Sequence, residues 1–167
     1  MESLLRDLRQ PEYVHVLLNP LPVYGLAVAL IGLLIAIFLR SRRGQIVALT
    51  LVLITSASAW PVYELGEQSS YRVLSMSDEQ GRAWLEEHQH RAEQLIAFFY
   101  VLAAVSLATL LLPLKFPRSS LLLGLTTLLF GFVVLGMGAY IAQAGGKIRH
   151  REFRNVPPPK ERTGDDR

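Results

Sequence analysis

The sequence predicts an all-α protein, an integral membrane four-helix bundle with antiparallel spans, an interfacial N-terminal helix and a helical middle loop. Three observations predict it. Of the 167 residues, 51% are apolar, and they come in long blocks instead of the mixed pattern of a soluble domain. Four blocks, 20–39, 46–63, 95–114 and 119–146, contain no Asp, Glu, Lys or Arg. A helix rises about 1.5 Å per residue and the hydrocarbon slab is about 30 Å thick, so each block reaches or approaches the length of a span.

The elements follow in order. The opening "MESLLRDLRQ" is mixed in charge and lacks the basic start and cleavage site of a signal peptide, so the first span is expected to be retained. Leu4, Leu5 and Leu8 share one side of a helix, which makes 1–18 an amphipathic segment lying at the interface. Asn19-Pro20 reads as an N-cap followed by proline at the first helical position, so the first span is expected to start at Pro20 with His15 just outside it. "RSRRGQ" joins the first two spans and "KFPRS" the last two. Both pairs are then hairpins with their turns on one side of the membrane, and the termini and the loop 64–94 lie on the other.

In "TSASAWPVYELGEQ" Pro61 is expected to kink or stop the second span, while Trp60 and Tyr63 suit the interfacial aromatic belt. Ser77 with Gln80 fits a capping box. A helix from there through Leu114 is about 55 Å long, so its first half projects beyond the bilayer or bends near Gly81. The four-span domain covers 19–154. The Pro-rich, charged tail 155–167 is expected to be disordered.

Two helix faces stand out. Gly124, Gly131, Gly138 and Gly145 recur at intervals of seven on the last span, with Thr127 and Ala142 beside them; small residues let membrane helices approach closely, so this is a packing face. On the third span Ala97, Ala104 and Ala108 form a second small stripe. Extended outward it meets Gln94, His90 and Glu87, which places His90 toward the bundle mouth and His88 away from it.

Composition excludes several functions. There is no cysteine, hence no disulfide, thiolate metal site or cysteine nucleophile. The net charge of +3 is clustered at loops and tail, where basic flanks signal topology instead of nucleic-acid binding. No charged residue lies within a span, which argues against pumps and ion-coupled transporters. No phosphate-cradling loop, G-x-S-x-G or H-E-x-x-H occurs, so an enzyme is not the expected reading. The short turns hold Arg40, Arg42, Arg43, Lys115 and Arg118 with no acid. By the first helix, the turns are expected to be cytoplasmic and the termini and His-rich loop to face the periplasm.

All four histidines, His15, His88, His90 and His150, fall on one side in this topology. Glu12 with His15 and Glu87 with His90 read Glu-x-x-His, while Glu64 closes the second span and Glu152 follows the fourth. Two such elements plus two further glutamates are the ligand set of di-metal sites in four-helix bundles. That gives His15, Glu64, Glu87, His90, His150 and Glu152 as candidate ligands for iron, manganese or zinc. His15, His90 and His150 are the candidate cofactor ligands, and two of them, such as His15 and His90, suit haem b. Against both stands a plain reading, in which these residues solvate a water-facing rim and form weak surface pairs.

Three stretches taken together, "WPVYELGEQ", "GRAWLEEHQHRAE" and "GGKIRHREFR", make the chain resemble a group of small bacterial four-span inner-membrane proteins of unknown function. In that group a His-Arg precedes the third helix and a Gly-Gly-x-Ile-Arg-His-x-Glu element closes the fourth. The resemblance covers most of residues 12–154. It implies a bacterial inner membrane and draws attention to His15, His90, Arg91, Gly145, Gly146, His150 and Glu152. The His-Pro that opens the first helix in the group is here His15 followed by Asn19-Pro20. Two functions follow as expectations. One is a binding module holding a transition metal or haem at one membrane face, for electron transfer or sensing. The other is a structural or interaction subunit without a cofactor, whose partners are the bilayer, other membrane subunits or further copies of itself.

Overall fold

A computed structural model describes residues 2–158. The chain is helical from end to end: α1 (Glu2–Asp7), α2 (Pro11–Leu18), α3 (Leu26–Phe38), α4 (Arg42–Ala57), α5 (Ala59–Ser75), α6 (Glu79–Lys115) and α7 (Ser120–Arg149). Among the described residues there is no strand. Four stretches, Pro11–Phe38, Arg42–Ser75, Glu79–Lys115 and Pro117–Arg149, are long and apolar enough to cross a membrane. This is the four-helix membrane bundle that the sequence predicts. The tail expectation falls mostly on residues 159–167, which lie outside the described residues.

The first span begins earlier than expected. Asn19 and Pro20 both keep right-handed helical backbone angles, and the helix passes through them instead of starting there. Pro20 has no N–H to give, and its carbonyl accepts from both Tyr24 and Gly25. The chain widens into a single π turn over Leu21–Gly25, the short form in which π geometry mostly occurs inside α-helices. His15 thus sits on a helix that is continuous with the span. Near Pro61 the break comes at Ser58, between α4 and α5, because the proline ring crowds the carbonyl four residues before it.

The long helix is present as one piece. Asp78 caps it by accepting from the Gly81 N–H at 2.8 Å, and its 37 residues make about 55 Å. The other three stretches also exceed the slab, while the turns at 39–41 and 116–119 are tight. The excess length therefore projects on the side of the termini.

Leu26, Leu30, Leu33, Leu49, Val52, Phe99, Leu102, Leu128 and Val134 form the main core. The opposite faces are just as apolar: Val28, Ile31, Leu34, Ile35 and Phe38 of α3 are exposed. Helices hydrophobic all round are buried in a large protein or in lipid. The buried Thr109 and Thr127 hydroxyls meet at 2.8 Å across α6 and α7, one giving its proton to the other, which gives its own to a carbonyl of its helix. A second, smaller apolar cluster, Trp84, Leu85, Ala144 and Ile148 with Val73, closes the outer end of the projecting part.

The glycine face is where the heptad places it. Gly124, Gly131 and Gly138 are buried, Gly131 receives Leu30, and Gly138 receives Phe99 and Val23. The alanine stripe of α6 is not inward: Ala97 and Ala104 are exposed, while Phe99, Leu102, Ser106 and Thr109 face the core. In hydrocarbon a large apolar side chain gains nothing by leaving lipid, so which face turns inward is decided by fit to the partner. Phe99 and Leu102 fill the space that the glycines of α7 open.

The outer end is clamped by charge. Arg154 folds back, giving to the Lys147 and Ile148 carbonyls at the end of α7 and to Asp78 at the start of α6 (2.7, 2.8 and 2.9 Å). A cation thus caps a helix C-terminus while an anion caps an N-terminus. Arg154 and then the Gly81 N–H hold the Asp78 carboxyl down at about 2. A carboxyl depressed in the folded state stabilises fully above its unfolded value, near 3.8, and progressively less as pH falls toward the folded one. A carbon-detected NMR titration of Asp78 is therefore expected to show a midpoint near 2, with faster exchange of the Gly81 amide below it. An ordinary carboxylate midpoint with unchanged exchange contradicts the clamp.

Candidate functional site

Between the main core and the outer cluster lies a cavity of about 530 Å³ bounded by α2, α5, α6 and α7. Its floor is Phe99 and Val23 packed on Gly138. Most of its lining is apolar, and this volume lies within the range of about 300 to 1,000 Å³ usual for small-molecule and cofactor sites.

Two histidines line it, His15 from α2 and His88 from α6, and they are held in the same way. His15 Nδ1 lies 2.8 Å from the Val62 carbonyl of α5. His88 Nδ1 lies 3.0 Å from the Ile141 carbonyl of α7. A carbonyl only accepts, so Nδ1 carries the proton in both rings and Nε2 keeps its lone pair. One turn beyond each carbonyl stands a glycine, Gly66 after Val62 and Gly145 after Ile141. A Cβ at Gly66 would come within 3.0 Å of the His15 ring, and one at Gly145 within 3.1 Å of the His88 ring. The missing side chain is what lets each imidazole reach a helix carbonyl that is otherwise covered.

The notch therefore occurs twice, once per hairpin. In each case the first long helix carries the histidine, and the second supplies the carbonyl at one position and glycine four residues later. The cavity also takes in Glu12, Glu67, Arg72 and Arg149. Glu12 and Arg72 pair with each other, and Glu67 accepts from Gln89 at 3.3 Å.

No protein-family model, curated protein or solved structure matches the chain. The geometry of the site is what its reading rests on.

Of the candidate ligands singled out in the sequence, His15 lines the cavity, and His90, His150, Glu64, Glu87 and Glu152 are absent from its lining; Glu12 and Gly145, noted for other reasons, also line it. His90 is absent from its lining; it lies two residues, about 200° of helix rotation, from His88. His88 is on the face of Phe99, eleven residues or three turns away, and this is the face that α6 turns inward. His150 lies beyond the end of α7, exposed, bound to Glu152 at 2.9 Å and stacked on Phe153. Glu64 is exposed. Glu87 accepts from Arg91 Nε at 2.7 Å, and Glu152 serves His150.

Among the described residues no three His, Asp or Glu side chains converge as a metal site. The six-residue metal set is therefore not assembled. Its members belong to different helix faces, and i,i+3 spacing alone does not bring two helices' faces together. Two imidazoles are too few for a protein-built zinc centre. They suffice for a haem iron, whose ring supplies the four equatorial nitrogens.

Arg91, singled out with His90, has a structural part. It is buried, gives to the Tyr140 carbonyl at 2.7 Å and Gln143 at 3.2 Å, and its guanidinium lies 3.7 Å from the Tyr140 ring centre. It ties α6 to α7 one turn from His88. Arg91→Ala removes the ion pair with Glu87 together with the hydrogen bonds to the Tyr140 carbonyl and Gln143, so a loss of about 3 kcal/mol is expected. Thermal unfolding in detergent, followed by circular dichroism, checks it; an unchanged midpoint contradicts the tie.

Proposed function

We propose that this multi-pass membrane protein binds haem b between His15 and His88 and serves one-electron transfer or redox sensing at one membrane face. The observation that carries the reading is the repeated notch. Two imidazoles, each fixed through Nδ1–H on a helix carbonyl and each admitted by a glycine, line a single, mostly apolar cavity. Partners on the second nitrogen orient a metal-binding histidine and raise its basicity, so a backbone carbonyl on both rings is an apt supporting shell. When bound, the iron would supply single-electron chemistry, and His15 and His88 would be the residues that hold it. The chain's own part is to hold the two nitrogens in place and to keep water from the apolar floor.

The resemblance to small bacterial four-span proteins supports a bacterial inner membrane as the location. The charge of the turns supports placing the cavity and both termini on the periplasmic side.

The test is the absorption spectrum and iron content of the detergent-purified chain from haem-replete cells. One haem per chain is expected, with a Soret band and the resolved bands of a six-coordinate low-spin iron on reduction. A colourless, iron-free chain that also fails to take up added haem overturns the proposal. Loss of haem from a variant and loss of fold are separated by circular dichroism on the same sample.

A further inference from the structure

The cavity is not uniform along its axis, and the difference selects which way an amphiphilic ligand lies in it. Its deep end, at Pro22, Val23, Phe99 and Gly138, carries no charge. Its outer end carries Arg72 and Arg149, both exposed to solvent as well as lining the cavity. Arg72 is already half engaged by Glu12. Arg149 is different: among the described residues its hydrogen bond goes to Met76 Sδ at 3.8 Å, and no carboxylate meets it. A thioether is a weak acceptor for a guanidinium. Glu67, the acid that could compete for such a cation, lies five residues nearer the membrane on α5 than Arg72 and is held by Gln89.

We infer that Arg149, assisted by Arg72, binds the carboxylates of the ligand, so that a dicarboxylate tetrapyrrole enters from the aqueous side with its apolar edge toward Phe99. This rests on the haem reading above and adds the orientation of the ligand and the residue that sets it. A guanidinium binds carboxylate through a fixed fork of N–H donors, and the apolar floor repels the same carboxylates by the cost of burying an unpaired charge. The two ends of the cavity therefore act in one direction.

The experiment compares haem with its dimethyl ester, which keeps the ring and iron and lacks the charges. Both are titrated into the detergent-solubilised apo-chain and into Arg149→Gln and Arg149→Lys, following the Soret band. The wild type is expected to bind the diacid about tenfold more tightly than the diester, the size of one charge-assisted hydrogen bond. Arg149→Gln should remove most of that preference by weakening the diacid alone, and Arg149→Lys should restore part of it. The diester comparison on the wild type needs no substitution, so a variant that folds poorly does not leave the question open. Equal affinities of the wild type for both ligands, with low-spin spectra intact, overturn the orientation and leave the haem reading standing. Absence of a low-spin spectrum with either ligand overturns both.

Discussion

His88→Ala will leave the purified chain without a low-spin haem spectrum, and His15→Ala will do the same, whereas His90→Ala and His150→Ala will retain it. The four residues are chemically identical and lie on one side of the membrane, so the contrast isolates geometry. His15 and His88 have Nδ1 committed to the Val62 and Ile141 carbonyls and line one cavity. His150 is exposed and bound to Glu152, and His90 is turned away from the cavity. Removing a supporting partner of a metal-binding histidine costs roughly 10- to 100-fold in affinity, so removing the histidine itself should cost more. The measurement is haem content and the reduced-minus-oxidised spectrum of four single variants. If His90→Ala loses the haem while His88→Ala keeps it, the assignment of the ligands is wrong.

Gly145→Leu and Gly66→Leu are expected to abolish the same spectrum without touching a ligand. At each position even a Cβ falls 3.0 to 3.1 Å from an imidazole, and a leucine must displace the ring from its carbonyl. Leucine favours helix over glycine by somewhat under 1 kcal/mol, which offsets part of an overpacking cost of about 1–3 kcal/mol, so helicity should hold while the melting point of the apo-chain falls modestly. Gly136→Leu supplies the control: on the same helix, nothing lies within 4 Å of a Cβ there. Its haem content should match that of the wild type. Full haem occupancy in Gly145→Leu would show that the notch does not position His88.

Much of the architecture is legible in the residues, because the bilayer imposes its length on any span. The four uncharged blocks mark the spans, and Asp78 starts the long helix within one residue of where the "SDEQ" turn suggests. The glycine heptad is equally legible, since glycine every seventh residue on one helix has few other uses. Inside the membrane the legibility ends at the choice of face. Ala97 and Ala104 look like a contact surface and are exposed, while Phe99 and Leu102 take the interior, because hydrocarbon would solvate all four. That inversion moved the expected ligand from His88 to His90.

The start of the first helix was hidden for another reason. Asn19-Pro20 is a strong boundary signal for an isolated segment, but packing of α2 on α5 carries the helix through it. The spacing that identifies the site was present: His88 lies three turns from Phe99, and Gly145 continues the heptad to meet it. What the sequence lacks is the pairing across helices, 47 residues apart for His15 and Val62 and 53 for His88 and Ile141.

Because the notch is repeated once per hairpin, each half of the chain owns one ligand and neither owns the site. Only the short link at 76–78 joins the halves covalently, so on the proposed reading the cofactor is also a fastener across the seam between them. A ligand that binds only the joined form adds about 4 kcal/mol to its stability at a thousand times its dissociation constant. The two hairpins, expressed as separate polypeptides, would then assemble most firmly when haem is present, and haem supply would govern how much of the membrane protein persists intact.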